Sequence, residues 1–236
     1  MLTLLLTCEH GGNRIPGAFS TLFEGQEQML ASHSGYDIGA LTLFHDLEDL
    51  ANACSSSETS RLLVDLNRSK HHKNLLSEFT APLSKAEKQS ILQEFYYPYR
   101  DCVEQTVQRL VKANKRVLHL AVHTFTPVLN GKVRRADIGL LFDPKRNGEQ
   151  ALCKSWKAEL QKQNTGLQVR FNYPYLGIAD GLPTYLRRKF TGEQYLGIEL
   201  EVNQRFPAGD QVTWQEVRLL LKTTLQQVLQ NAVAMG

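Results

Sequence analysis

Short apolar runs alternate with segments of helical periodicity along nearly the whole chain, and this alternation constrains the fold more than any other feature. The runs are apolar at almost every position, as in strands that are buried on both faces of a parallel sheet. The predicted strands span residues 2–8, 61–67, 117–122, 138–142, 168–171 and 195–202. The predicted helices span residues 36–50, 84–114 with a kink or break at Pro98, 149–163, 182–190 and 213–233. The pattern predicts an α/β fold, a three-layer sandwich with a mostly parallel central sheet.

Size and composition limit the classes of protein that this chain can belong to. With 236 residues, 42% of them apolar, and no repeat or linker, we expect a single domain over residues 1–236. The 27 basic and 24 acidic residues almost balance, so no nucleic-acid surface is expected. No apolar stretch approaches the roughly 20 residues that cross a bilayer, which argues against membrane insertion. The scattered cysteines and the absence of a signal-peptide pattern predict a cytoplasmic protein with reduced thiols.

Polar residues follow several of the predicted strands, where ligand sites of α/β folds gather. His10 and His123 each stand just past a buried apolar run, and Asp37 lies in the first turn of a predicted helix. A catalytic zinc ion takes three such ligands and leaves one position open. The spacing alone is not diagnostic, because no local pair such as HExxH is present. The alternative is that the two histidines hydrogen-bond loops and that Asp37 caps its helix.

Five segments carry a family resemblance, and they occur in the family's order: TCEHGGNRIP, HSGYDIGA, SRLLVDLNRS, VHTF and IELEVNQ. Together they resemble the N-formylglutamate amidohydrolase family over about residues 3–206, and members of that family look like zinc-dependent exopeptidases in fold. The resemblance implies hydrolysis of the amide bond of an N-formyl or N-acyl amino acid by a metal-activated water. It also implies a divalent metal, zinc by preference, and a small-molecule substrate.

The resemblance assigns roles to individual residues of this chain. His10, Asp37 and His123 match the family's metal ligands, and Glu201 matches its catalytic carboxylate. Glu199 shares a strand face with Glu201 through the period of two, so either glutamate could be the base, and we favour Glu201. The other interpretation of Glu199 is an ion pair with an arginine. The family's usual arginine two residues after the catalytic carboxylate is replaced here by Asn203, which leaves the substrate open.

Arginine side chains are the candidates for holding a substrate carboxylate, because a guanidinium group binds it through two hydrogen bonds. Arg68 follows Asn67, and the pair resembles the Asn-Arg pair of related zinc carboxypeptidases; the alternative for Arg68 is a surface ion pair. Arg61 and Arg135 are further candidates. Arg135 belongs to a basic run for which a solvated face is the simpler interpretation.

Two other functions remain open at the level of the sequence. The chain could be a non-catalytic relative that binds a carboxylate ligand, or an amidase of peptides or peptidoglycan. The complete ligand set favours a hydrolase. If the metal assignment holds, the three ligand side chains should converge to within roughly 4–5 Å of one another. Each ligating imidazole should also donate its other N–H group to a carboxylate or a carbonyl.

Overall fold

The computed structural model describes residues 2–234 and contains eight strands within that range. The strands are β1 (Leu2–Cys8), β2 (Ala53–Ser56), β3 (Arg116–Phe125), β4 (Val128–Leu129), β5 (Lys132–Val133), β6 (Ile138–Leu141), β7 (Val169–Phe171) and β8 (Tyr195–Asn203). The α-helices are α1 (Glu27–Leu30), α2 (Ala40–Leu47), α3 (Lys85–Ile91), α4 (Tyr97–Lys112), α5 (Asn147–Gln163), α6 (Leu182–Arg187) and α7 (Gln211–Ala234). A π-helical turn, Leu92–Tyr96, lies between α3 and α4, and Pro98 is in the first turn of α4. Two α-helices are therefore present as predicted, but the chain stays helical between them and does not break at Pro98.

Six strands form one sheet in the order β2, β1, β3, β8, β6, β7. The first four are parallel, whereas β6 is antiparallel to β8 and β7 is parallel to β6. The predicted α/β fold with a mostly parallel sheet is therefore confirmed. The carboxyl ends of β1, β3 and β8 meet at one edge, which brings the residues after them together.

Helices cover both faces of the sheet, as the strand pattern requires. Successive side chains of a strand point to opposite faces. Leu4 and Leu6 of β1 belong to the core that α2, α5 and α7 cover, and Leu5 belongs to the core on the α4 and α6 side. The predicted three layers follow from this arrangement. Within residues 2–234, no helix combines the length and apolarity of a membrane span.

The segment 61–67 is not a strand, so that prediction is wrong. Its apolar side chains are buried, but its backbone forms turns, with the amide of Leu63 donating to the carbonyl oxygen of Ser60. Side chains satisfy other backbone groups, for example the Thr80 hydroxyl on the carbonyl of Leu63. The strand beside β1 is instead β2, whose residues are alternately half-buried and exposed at the sheet edge. The buried loop is thus as apolar as a strand is expected to be, and the edge strand is as polar as a loop is expected to be.

Three helix starts also differ from the prediction, and one of them is that of α5, which begins at Asn147 instead of residue 149. Helix α2 begins at Ala40, and Asp37 lies in the turn before it, where its carbonyl accepts the amide of Ala40. Helix α7 begins at Gln211 because the carboxylate of Asp210 accepts the amide of Thr213. Because Asp37 precedes the helix, its side chain can point toward the ends of β1 and β3.

Candidate metal centre

Three elements place the predicted ligands at one edge of the sheet. His10 lies just beyond β1, and His123 lies near the carboxyl end of the adjacent parallel strand β3. The amide of Asp37 donates to the carbonyl oxygen of His10 at 2.9 Å, which fixes the turn before α2 against the end of β1. All three residues are buried, with 3–4% of each residue's surface exposed.

The three side chains converge on one point. Each offers a ligand atom, and the three atoms lie within 4.8 Å of one another, so the predicted convergence is confirmed. Oδ2 of Asp37 is 3.4 Å from Nδ1 of His10 and 2.9 Å from Nδ1 of His123. Two ligands bound to one zinc ion at about 2.0–2.2 Å stand roughly 3–4 Å apart. A pair of imidazoles and one carboxylate in this spacing suits a divalent ion with an open position.

Further carboxylates contact the outer nitrogens of both imidazoles. Nε2 of His10 lies 2.7 Å from Oδ1 of Asp65, a hydrogen bond that confirms the expected outer partner. Nε2 of His123 lies 3.2 Å from Oε2 of Glu9, an ion-pair distance, although neither atom makes a hydrogen bond within residues 2–234. The Tyr99 hydroxyl of α4 donates to the other oxygen of Glu9 at 3.0 Å. Glu9 and Asp65 had no assigned role in the sequence, although each adjoins a motif residue.

Arg61 connects the carboxylate of Asp37, a candidate metal ligand, to that of Asp65, which contacts the outer nitrogen of His10. Its Nη1 donates to Oδ1 of Asp37 at 3.2 Å and its Nη2 donates to Oδ2 of Asp65 at 3.0 Å. The structure therefore places this candidate against two protein carboxylates. A guanidinium in that position orients both groups and compensates their charge.

The charges of the cluster are strongly coupled. Burial alone would raise the pKa of the Asp37 carboxyl group, but the two imidazoles and the guanidinium outweigh it and hold that pKa well below its usual range. Burial alone would lower the pKa of His123, but the adjacent carboxylates raise it well above its usual value. Burial also opposes ionisation of Glu9, yet His123 lowers its pKa to about 2. The cluster attracts a cation, and a metal ion competes with the proton for it.

Glu201 stands directly opposite His123 in the register of β8 and β3. Its carboxylate is buried, and Oε2 has no hydrogen-bond partner among the described residues. Burial raises the pKa of Glu201 to about 8, partly opposed by His123. Burial also raises the pKa of Glu199, which lies on the same face of β8. An unpartnered buried carboxyl oxygen beside the cluster is suited to proton transfer.

Asn67 and Arg68 line the same cavity, as does Arg61. Oδ1 of Asn67 accepts the amide of Leu182 at 2.7 Å. Nη1 of Arg68 donates to the carbonyl oxygen of Asp180 at 2.7 Å, and its Nε lies 3.7 Å from Oδ2 of Asp65, an ion-pair distance, while its Nη2 makes no hydrogen bond to residues 2–234. The remaining candidate, Arg135, is exposed and does not line the cavity.

The candidate metal ligands open into a cavity of about 230 Å³. Part of its wall comes from the loop before α6, which supplies Tyr175, Leu176 and Asp180, and part from the end of β3. No periodicity or motif in the sequence marks this loop as part of the site. A cavity of this size suits a small molecule.

Comparison with known proteins points to one family. The family model described as N-formylglutamate amidohydrolase matches residues 2–206. The crystal structure of gene product Atu2144 from Agrobacterium tumefaciens is similar at a TM-score of 0.77 and 25% identity, over 95% of this chain and 91% of that chain. N-formylglutamate amidohydrolase from Ralstonia eutropha shares the fold at a TM-score of 0.67 and 17% identity, over 98% and 95% of the two chains. The search of curated proteins found no match.

Proposed function

The chain belongs to the N-formylglutamate amidohydrolase family, and on that premise we propose that it is a metal-dependent hydrolase of N-formyl or N-acyl amino acids. In this proposal, residues 1–236 form a single metallohydrolase domain with a zinc ion at the buried cluster. The observation that carries it is the convergence of His10, Asp37 and His123 within 4.8 Å at a cavity.

The donor set supports a metal of the zinc type. Two imidazole nitrogens and one carboxylate oxygen are typical protein ligands of catalytic zinc, and outer carboxylates beside both imidazoles are typical of such sites. When bound, such an ion lowers the pKa of water and polarises a carbonyl group. Proton transfer and substrate binding are carried out by side chains of the protein.

Glu201 is the proposed general base. Its unpartnered Oε2 lies on the strand next to His123 and can accept the proton of the attacking water. The same carboxyl group then donates that proton to the nitrogen of the leaving amine, and the products are a carboxylic acid and an amino acid. Burial favours the protonated form needed for the second transfer. Glu199, buried on the same face, is the alternative base.

Arg68 is the proposed anchor of the substrate carboxylate. Its Nη1 is fixed to the carbonyl of Asp180, and Nη2 has no hydrogen bond within residues 2–234. Asn67 holds the start of α6 in place beside it. Arg61 and Arg135 stay weaker candidates, because Arg61 is bound to two protein carboxylates and Arg135 lies outside the lining.

The test is a hydrolysis assay on N-formyl and N-acyl amino acids with the zinc-loaded and the chelator-treated protein. We expect metal-dependent release of the free amino acid. Glu201→Gln should keep the metal and lower kcat by about 10²–10⁴, the usual worth of a positioned acid–base group. If Glu199→Gln abolished turnover and Glu201→Gln did not, the base would be Glu199. A wild type that binds zinc and cleaves none of these substrates would contradict the hydrolase assignment.

A further inference from the structure

The cavity offers few cationic groups to a substrate. Two arginines line it, and the terminal nitrogens of Arg61 are both bound to protein carboxylates. Arg68 keeps one terminal nitrogen without a partner in the described range. His33 also lines the cavity but is exposed, so a carboxylate beside it would remain hydrated and gain little. The lining therefore provides one guanidinium group for one carboxylate.

The end of β8 supplies no additional cation. Asn203 is 1% exposed, and its amide donates to the carbonyl oxygens of Ala136 at 2.8 Å and Arg134 at 3.2 Å. The Arg134 side chain lies 5.1 Å over the ring of Tyr175 and donates to its hydroxyl. Arg134 does not line the cavity.

Carboxyl groups already line the cavity. There are four in its lining, those of Asp37, Asp180, Glu199 and Glu201. In a partly enclosed site, those of them that are ionised repel a further carboxylate more strongly than they would in water. A substrate with two carboxylates would leave its second charge without a partner in these surroundings, at a cost in binding free energy.

One part of the remaining wall is apolar. It is formed by Phe125, Leu129, Tyr175, Leu176 and Ala179. Tyr175 is 45% exposed and Leu176 is 59% exposed, so an apolar group that covers them would remove apolar surface from water. The polar groups at this end of β3 have partners already, since Gln204 donates to the Thr124 hydroxyl.

We infer that the substrate carries one carboxylate and one apolar group, in its side chain or in its acyl chain, instead of a second carboxylate. Arg68 binds the carboxylate, and the wall around Leu176 contacts the apolar group. This inference rests on the proposed function, because it concerns the substrate of the same cavity. It distinguishes the preferred substrate from N-formylglutamate, which has two carboxylates.

The test compares kcat/KM of the zinc-loaded enzyme on four substrates. N-formylglycine is the reference, N-formylleucine adds an apolar side chain, N-hexanoylglycine adds an apolar acyl chain, and N-formylglutamate adds a second carboxylate. We expect at least one apolar substrate to exceed both N-formylglycine and N-formylglutamate by about 10-fold or more. The better of the two apolar substrates identifies which end contacts the wall.

A matched pair of variants on one loop locates the contact. Leu176 lines the catalytic cavity, whereas Ile178, 55% exposed, lines a separate pocket. Leu176→Asn should lower kcat/KM for the preferred apolar substrate about 3- to 10-fold more than it lowers kcat/KM for N-formylglycine. Ile178→Asn should change neither. An equal loss in both variants would overturn the assignment of the wall.

The outcomes separate this inference from the proposed function. Preference for N-formylglutamate, or equal rates on all four substrates, would overturn the inference and leave the hydrolase in place. If Arg134→Gln then removed a preference for N-formylglutamate, Arg134 would be the second cation. No metal-dependent cleavage of any substrate would overturn the proposed function and this inference together.

Discussion

Arg61 and Arg68 flank one short loop and line one cavity, but their guanidinium groups have different surroundings. Arg61 makes two hydrogen bonds to buried carboxylates, whereas Arg68 makes one, to the carbonyl oxygen of Asp180, and a longer ion pair of 3.7 Å with Asp65. The sequence could not distinguish them, because both are arginines beside the VDLNR motif. The partners that distinguish them, Asp37 and Asp180, are distant in the chain.

Replacing Arg68 should weaken substrate binding and spare the metal. We expect Arg68→Ala to raise KM by about 10-fold or more, because the substrate carboxylate loses a charge-assisted hydrogen bond. The steady-state kinetics should be compared between a substrate and its carboxamide analogue. The wild type should prefer the acid, and the variant should treat both alike. Equal rates of the wild type on acid and amide would show that Arg68 is structural.

Glu201 should make the metal-free protein less stable as the pH rises. Burial raises its folded-state pKa to about 8 from the usual value of 4.5, so between these values the folded state holds a proton that the unfolded state has lost. The stability contributed by the protonated form is complete below about pH 4.5 and is lost as the pH rises through about 8. Each pKa unit corresponds to about 1.4 kcal/mol.

Glu201→Gln therefore should gain stability over the wild type as the pH rises from 5 to 8, reaching on the order of 2–4 kcal/mol in the metal-free state. Urea unfolding at several pH values measures this difference. Glu193→Gln, which changes an exposed glutamate, is the control and should show no such trend. A difference between Glu201→Gln and the wild type that does not change with pH would contradict the raised pKa.

At the scale of elements, the sequence predicted those strands whose burial is uniform. In β1 and β3 nearly every residue is buried, so an apolar run indicates the strand directly. The edge strand β2 is half exposed, so its polar sequence resembles that of a connecting loop. The apolar residues of segment 61–67 pack in the core on the α4 and α6 side of the sheet, and only tertiary contacts decide that the backbone turns there. Hydrophobicity reports burial, and it does not by itself report backbone conformation.

Helix α4 should influence the metal centre through one hydroxyl group. The Tyr99 hydroxyl donates to Glu9, which faces His123, so removing it leaves a buried carboxylate less well fixed. We expect Tyr99→Phe to weaken zinc affinity by about 10-fold, as outer-partner changes do. The loss of folding stability should be about 1 kcal/mol.

Competition titration with a chromophoric chelator measures this affinity. Tyr97→Phe is the matched control, because the neighbouring Tyr97 hydroxyl makes no hydrogen bond to residues 2–234. Unchanged zinc affinity in Tyr99→Phe would show that Glu9 does not orient His123.

At the scale of the whole molecule, the site draws on distant parts of the chain. The sheet brings His10, His123 and Glu201 to one edge, and hydrogen bonds to His10 hold Asp37 and Asp65, from two separate turns, beside them. The sheet and the ligand candidates could be predicted, because strand ends and the family motifs mark them. Three features could not be predicted: the outer carboxylates, the hydrogen bonds of Arg61 to them and to Asp37, and the apolar wall of the cavity. Contacts between side chains that are distant in the chain leave no local pattern in the sequence.

The most direct test is a calorimetric measurement of the zinc-binding isotherm of the chelator-stripped protein. The wild type should bind about one zinc ion per chain and release protons as it does so. His10→Ala should lose tight binding, whereas His33→Ala, which alters an exposed histidine of the same cavity outside the ligand cluster, should bind as the wild type does. Tight binding by His10→Ala, or none by the wild type, would contradict the metal centre at His10, Asp37 and His123.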